Sequence, residues 1–108
     1  DLIATQRPSY LAAVPTMYTA MVNADRTGSI DFSSLKFCLS GGAPLPAEIK
    51  SAFEDRTKAK LVAEGYGLTE TSPVATCNPI SDKARAGSIG LPIPGTTIDI
   101  VSLEDGVT

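Results

Sequence analysis

The chain has 108 residues, with 9 Lys and Arg against 12 Asp and Glu, a net charge of −3. That length bounds it to one small domain at most, and the mild negative charge with scattered basic residues argues against a nucleic-acid surface. At 43% hydrophobic and 19% charged the composition is that of a soluble globular protein, with no apolar run near the roughly 20 residues of a membrane span. Cysteine occurs twice, as Cys38 and Cys77, too few for a disulfide framework. No basic region leads into an apolar signal segment, so cytoplasmic residence is the default expectation. There is no histidine. Within these residues that excludes a Ser-His-Asp triad, a Cys-His pair and a histidine-ligated zinc.

In chain order, Asp1 to Ala4 reads as the tail of a helix. Ser9 to Val14 is short, apolar and bounded by Pro8 and Pro15, which predicts a buried strand. Pro15 then opens a helix to about Ala24, with Met17, Tyr18, Met21 and Val22 on one face and Gly28 as its stop. Lys36 to Ser40 predicts a second buried strand, in which Cys38 is a small inert hydrophobe. Pro46 is placed as the first residue of a second helix, Glu48 suits its dipole, and Ile49, Ala52 and Phe53 form its apolar stripe to about Arg56. Leu61 to Ala63 is a third strand. Val74 to Cys77 is a fourth candidate, Asn78 to Ala86 a polar loop, and Gly87 to Gly95 a stiff Pro/Gly segment. Thr97 to Val101 alternates in part, like a strand with one wet face. A turn at Glu104-Asp105-Gly106 should lead onward, and both ends read as cut from something longer.

Strand, helix, strand, helix, strand is the pattern of an α/β fold with a parallel sheet and helical crossovers. The expected division is an α/β nucleotide-binding segment over 1–73 and a more β-rich segment over 74–108, both partial. Ligands bind such sheets beyond the carboxyl ends of the strands. Two glycine-bearing loops follow strands directly: Ser40-Gly41-Gly42-Ala43-Pro44, and Glu64-Gly65-Tyr66-Gly67-Leu68-Thr69-Glu70-Thr71-Ser72-Pro73. They should lie side by side at one sheet edge. Glycines admit close backbone approach, an aromatic face can stack on a base, a hydroxyl can bond a phosphate and a carboxylate can hold Mg²⁺. Each signal alone has an ordinary reading: a tight turn for Gly41-Gly42, packing for Tyr66, an N-cap for Thr69, a solvated carboxylate for Glu70. Their co-occurrence after adjacent strands points to a nucleotide site.

These two loops, together with Gly87-Ser88-Ile89-Gly90-Leu91-Pro92, Val14-Pro15-Thr16-Met17-Tyr18 and Asp31-Phe32-Ser33-Ser34-Leu35, resemble the acyl-adenylate-forming (AMP-binding) superfamily. Within it the sequence is most similar to bacterial long-chain fatty-acid–CoA ligases. The resemblance implies part of the large N-terminal domain of such an enzyme, with ATP/AMP, Mg²⁺ and coenzyme A as ligands and a fatty acid or other carboxylic acid as substrate. It implies that Gly41, Gly42 and Ala43 line the adenine, that Glu64 and Gly65 border the nucleotide, and that Tyr66 stacks on the base. By the same resemblance Thr69 and Glu70 are the catalytic pair, the first at the α-phosphate and the second at Mg²⁺. Gly67 and Leu68 would face the acyl end, with Val14 and Tyr18 as further acyl-pocket candidates beside the plainer reading of a packed helix face. The family's phosphate loop, ribose-binding aspartate and acyl-contacting lysine are not among these residues, so the 108 residues alone are expected to be inactive. Exposed sheet faces and edges would let such a piece self-associate. The alternatives are an aryl-CoA ligase, a fatty-acyl-AMP ligase or a peptide synthetase adenylation domain, and, in another class, a non-catalytic α/β nucleotide- or partner-binding module.

Overall fold

The computed structural model describes residues 2–59, 62–81 and 83–107. The expectations that fell on Asp1, Leu61 and Thr108 lie outside them. Three helices, α1 (Leu2–Gln6), α2 (Pro15–Asn23) and α3 (Ala47–Thr57), accompany five strands, β1 (Tyr10–Ala13), β2 (Phe37–Ser40), β3 (Val62–Gly67), β4 (Val74–Cys77) and β5 (Leu91–Pro92). The strands form one sheet in the order β1-β2-β3-β4-β5. The first three are parallel, as the β-α-β-α-β pattern requires, and the last two are antiparallel.

Proline and left-handed residues punctuate these elements. Pro15 is the first residue of α2, where its missing N–H costs nothing, and Val14 O accepts the N–H groups of Met17 and Tyr18 at 2.9 and 3.3 Å. The helix ends at Asn23, beside the expected Ala24, but Gly28 is not its stop: Ala24 turns extended with its N–H on Ala20 O, and the Thr27 hydroxyl donates to Met21 O. Gly28 instead lies inside a 3₁₀ turn over Thr27–Ser29. Pro46 precedes α3 as its cap, at φ −59° and ψ 132°, rather than starting it. Lys58 closes α3 in the left-handed region at φ 56°, its N–H on Glu54 O at 2.8 Å.

The core lies between α2, α3 and one face of the sheet. Tyr18 and Phe53 are fully buried and meet edge to face at 4.9 Å, with Phe32 against Phe53 at 6.0 Å. Cys38 and Val62 close the sheet side, and burial pushes the Cys38 thiol up to about 11, so it stays neutral. Of the predicted α2 stripe, Met21 and Val22 pack against this cluster, whereas Met17 is 50% exposed. β1 and β2 alternate in burial instead of being buried throughout. Their second face carries the Tyr10–Phe37 stack, centroids 5.2 Å apart, with Tyr10 exposed.

Two strand expectations change. β3 does not stop at Ala63 but continues to Gly67, because β4 returns antiparallel along it. Thr97 to Val101 is irregular, with Ile100 87% exposed, because β5, only two residues long, is the last strand of the sheet and no strand pairs beyond it among the described residues. A half-wet pattern needs such a partner to become a strand.

The packing yields a first prediction. Phe53→Ala should cost about 3–5 kcal/mol by opening a cavity under Tyr18. Met17→Ala, on the same predicted apolar surface but half in water, should cost within about 0.5 kcal/mol. Urea midpoints of the two variants would check this, and equal shifts would contradict the core assignment.

Candidate functional site

The site forms where β2 and β3 end. Their register pairs Cys38 with Val62 and Ser40 with Glu64, so β2 ends level with Glu64 while β3 runs on beside the departing loop to Gly67. Gly41 extends the ladder on one side, its N–H on Ala13 O at 3.4 Å, and a Cβ there would stand 3.6 Å from Gly65 O. Gly42 turns the chain away at φ +83°, the left-handed region that glycine tolerates. A Cβ on Gly42 would meet Val14 Cγ1 at 3.6 Å, which places Val14 directly beside the loop.

The β3–β4 hairpin makes the other side. Gly65 pairs with Cys77, Tyr66 with Thr76 and Gly67 with Val74, with a bulge between Tyr66 and Gly67. The hairpin closes so tightly that a Cβ on Gly67 would lie 1.8 Å from Pro73 O. The missing side chain at Gly67 therefore answers a backbone collision. At the tip Thr69–Thr71 form a 3₁₀ turn. Thr71 organises it: its hydroxyl oxygen accepts from Leu68 N at 2.9 Å and lies 2.9 and 2.8 Å from the carbonyls of Leu68 and Pro73. Thr69 and Glu70 are left exposed at the apex.

Two cavities result. The larger, about 520 Å³, is walled by Gly42–Leu45 after β2, by Glu64–Leu68 along β3, and by Gly87–Ile89. The smaller, about 280 Å³, shares Gly42 and Gly65–Leu68 and adds Gly41, Thr69 and Pro73. Ala43 and Tyr66 thus face one cleft, and Tyr66 offers a 44% exposed ring to it. The larger volume falls in the range of small-ligand sites, roughly 300–1,000 Å³. Its lining joins glycine backbone and small side chains to the aliphatic Leu45, Leu68 and Ile89, the Tyr66 ring and the Glu64 carboxylate, a mixture that suits holding a flat ligand with polar edges.

Of the residues singled out in the sequence, Gly41, Gly42, Ala43, Glu64, Gly65, Tyr66, Gly67, Leu68 and Thr69 are brought together. Glu70 follows Thr69 on the rim without lining either cavity. Tyr18 is not brought there: it is fully buried in the helix layer, with its hydroxyl donating to Leu39 O at 3.0 Å. Among the described residues no three His, Cys, Asp or Glu side chains cluster as a metal site. Sequence reasoning gave no role to Gly87–Ile89, which form the third wall. The signal for it was the Gly-Ser-Ile-Gly spacing, which served as a motif of the family resemblance and as a stiff segment, with no site residue assigned to it.

The whole chain, residues 1–108, matches the profile of a family described as AMP-binding enzyme. It is 45% identical over 105 residues to a long-chain-fatty-acid–CoA ligase of Bacillus subtilis (strain 168), covering 97% of this chain and 19% of that protein. It is 34% identical over 110 residues to 4-coumarate–CoA ligase 3 of Arabidopsis thaliana, covering 96% and 19%. Among solved structures, an anthranilate CoA ligase in complex with anthranoyl-AMP superposes with a TM-score of 0.88 at 30% identity, over 98% of this chain and 20% of that one. The chain therefore spans about one fifth of the length of these relatives.

The glycine geometry yields a second prediction. Gly67→Ala should destabilise the protein by more than about 2 kcal/mol, since the backbone of the hairpin must shift. Gly87→Ala, at φ +72° with nothing within 4 Å of the added carbon, should cost only the left-handed penalty of about 1–2 kcal/mol. Thermal unfolding of both variants would show the difference; a harmless Gly67→Ala would refute the tight hairpin.

Proposed function

The chain belongs to the AMP-binding enzyme family, and from that premise we propose that it is a segment of an ATP-dependent acyl-CoA ligase acting on fatty acids. One observation carries this reading: Ala43 and Tyr66, from loops on neighbouring strands, line a single cleft at the carboxyl ends of the sheet. The proposed reaction has two steps. A carboxylate oxygen of the acid attacks the α-phosphorus of ATP, forming the acyl-phosphate bond and releasing pyrophosphate. The thiol of coenzyme A, losing its proton, then attacks the acyl carbon and releases AMP, leaving a thioester.

In this reading the backbone of Gly41–Ala43 lies along one edge of the adenine, while Glu64 and Gly65 border the nucleotide. The Tyr66 ring covers the face of the base, a contact worth about 1–3 kcal/mol. Thr69, at the hairpin apex, donates its hydroxyl to the α-phosphate. Glu70 beside it is the carboxylate for Mg²⁺, which neutralises phosphate charge when bound. A single carboxylate fits that ion, because Mg²⁺ is commonly held by one or two carboxylates plus substrate phosphates and water. Gly67 and Leu68 sit at the acyl end of the cleft, with Val14 at its border through Gly42. Tyr18 supports that border from inside the core instead of touching substrate.

Specificity for a fatty acid rests on the similarity to the Bacillus ligase. An aryl acid is the second reading, favoured by the likeness to the 4-coumarate and anthranilate ligases. No helix among the described residues is long and apolar enough to cross a membrane, and we place the enzyme in the cytoplasm as part of the same proposal.

The test uses the full-length protein and ATP–pyrophosphate exchange with fatty and aryl acids side by side. Thr69→Val and Glu70→Gln should each slow exchange at least about 100-fold, the scale of one lost transition-state contact, with unchanged thermal midpoints. Tyr66→Ala should raise KM for ATP about tenfold. Exchange that survives both apex substitutions at the wild-type rate would overturn the assigned roles, and faster exchange with aryl acids would replace the substrate class.

A further inference from the structure

We propose that Asn78 is a positioning residue for the nucleotide cleft: it ties the Gly87–Ile89 wall to strand β3 and so sets the width of the cavity between them. The inference rests on the reading of that cleft as the ATP site. Asn78 follows β4 directly, is 5% exposed, and belongs to no wall itself. Its backbone N–H donates to Glu64 O at 2.9 Å, on the strand that forms one side of the cavity. Its side chain reaches the other side. Nδ2 donates to Arg85 O at 3.1 Å and to Ser88 O, while Oδ1 accepts from Arg85 N at 3.3 Å. One buried residue thereby reaches both walls, β3 through its backbone and the 85–89 loop through its side-chain amide.

The loop has few other anchors of its kind. Its internal bonds are short-range, Ser88 N to Arg85 O at 3.3 Å and Gly90 N to Ser88 Oγ at 3.1 Å. Gly90 brings the chain back against β4: at φ +88° a Cβ there would stand 2.1 Å from the Cys77 carbonyl carbon. The return point is thus set by backbone contact, and the span before it is set by the Asn78 amide. An amide is the group this place needs, since it must present two donors to carbonyls and one acceptor to an N–H. Replacing it removes the amide donor from the Arg85 and Ser88 carbonyls and lets the wall move, and small displacements of a binding wall are costly.

The experiment compares Asn78→Ala and the isosteric Asn78→Asp with Thr27→Ala in the full-length protein. Asp keeps the acceptor but turns a carboxylate toward two carbonyls, so it should behave no better than Ala. Thr27 is equally buried but bonds within the helix layer. Two readouts are taken: amide hydrogen exchange of the substrate-free protein, and the separate effects on KM for ATP and kcat. Both Asn78 variants should lose protection across 85–90 and raise KM for ATP about tenfold with a smaller change in kcat. Thr27→Ala should lower the thermal midpoint without either effect. Retained protection at 85–90, or a KM for ATP no different from that of Thr27→Ala, would overturn the proposal. A wild-type protein without exchange activity would refute the ligase reading instead; the hydrogen-exchange comparison, which needs no substrate, would still decide for or against Asn78 as the tie.

Discussion

The parallel pairing of β2 with β3 is the constraint on which the site depends. Ser40 opposite Glu64 means that the loop after β2 leaves the sheet beside Gly65–Gly67, the part of β3 that runs on past the end of β2. The strands are held there by more than their ladder. Cys38 and Val62, partners in that register, are both buried under the Tyr18–Phe53 contact, so a slip of one residue would expose the apolar partners and bury their neighbours. The helix layer thus fixes a register whose consequence appears beyond the strand ends. This is how a helix layer that lines no part of the cleft sets the distance between the Gly42–Ala43 backbone and the Tyr66 ring.

Glycine in this site has two different physical duties. At Gly42 it supplies a left-handed turn. At Gly67 and Gly90 it avoids collisions with Pro73 and Cys77 that no side chain could escape. The glycine-rich run after β3 is accordingly not a loop waiting for a ligand. It is half strand and half tight hairpin, made rigid by the need to pass close to its own return strand. A cleft built this way is set before any ligand arrives, which reduces the ordering that binding must impose.

Much of this was legible in the sequence, and the gaps follow a rule. Elements bounded by proline, such as β1, α2 and α3, were readable to within one or two residues, because proline acts on the local backbone alone. Tyr18 and Phe53 stood out on helical stripes, yet Met17 in the same stripe is half in water, since a stripe does not say how wide a neighbour covers it. Gly28 is not the stop it was expected to be: α2 ends before it, with the Thr27 hydroxyl reaching back to Met21 O, a tertiary choice. The extension of β3 through Gly67 and the existence of β5 both depend on β4, a partner distant in local pattern. Thr97 to Val101 failed for the converse reason: the alternation is present and, among the described residues, the partner strand is not. In the site itself the two glycine loops were readable, whereas the third wall was not. Its placement rests on Asn78, whose polar side chain in a polar loop carries no sign in sequence that it is buried.

The hairpin apex shows why exposure and order are compatible at a site of this kind. Thr71, rather than Thr69, makes the local bonds that close the turn, and Ser72 takes the left-handed conformation, φ 62°, that reverses the chain. A turn secured by its third residue leaves the first two, Thr69 and Glu70, to face outward on a backbone that is not itself loose. Were Thr69 the capping group, its hydroxyl would be occupied by the backbone it stabilises. The division of labour between two threonines two positions apart therefore matters as much as the identity of either: one hydroxyl is given to the fold, and that is the condition under which the other is presented beside the cleft.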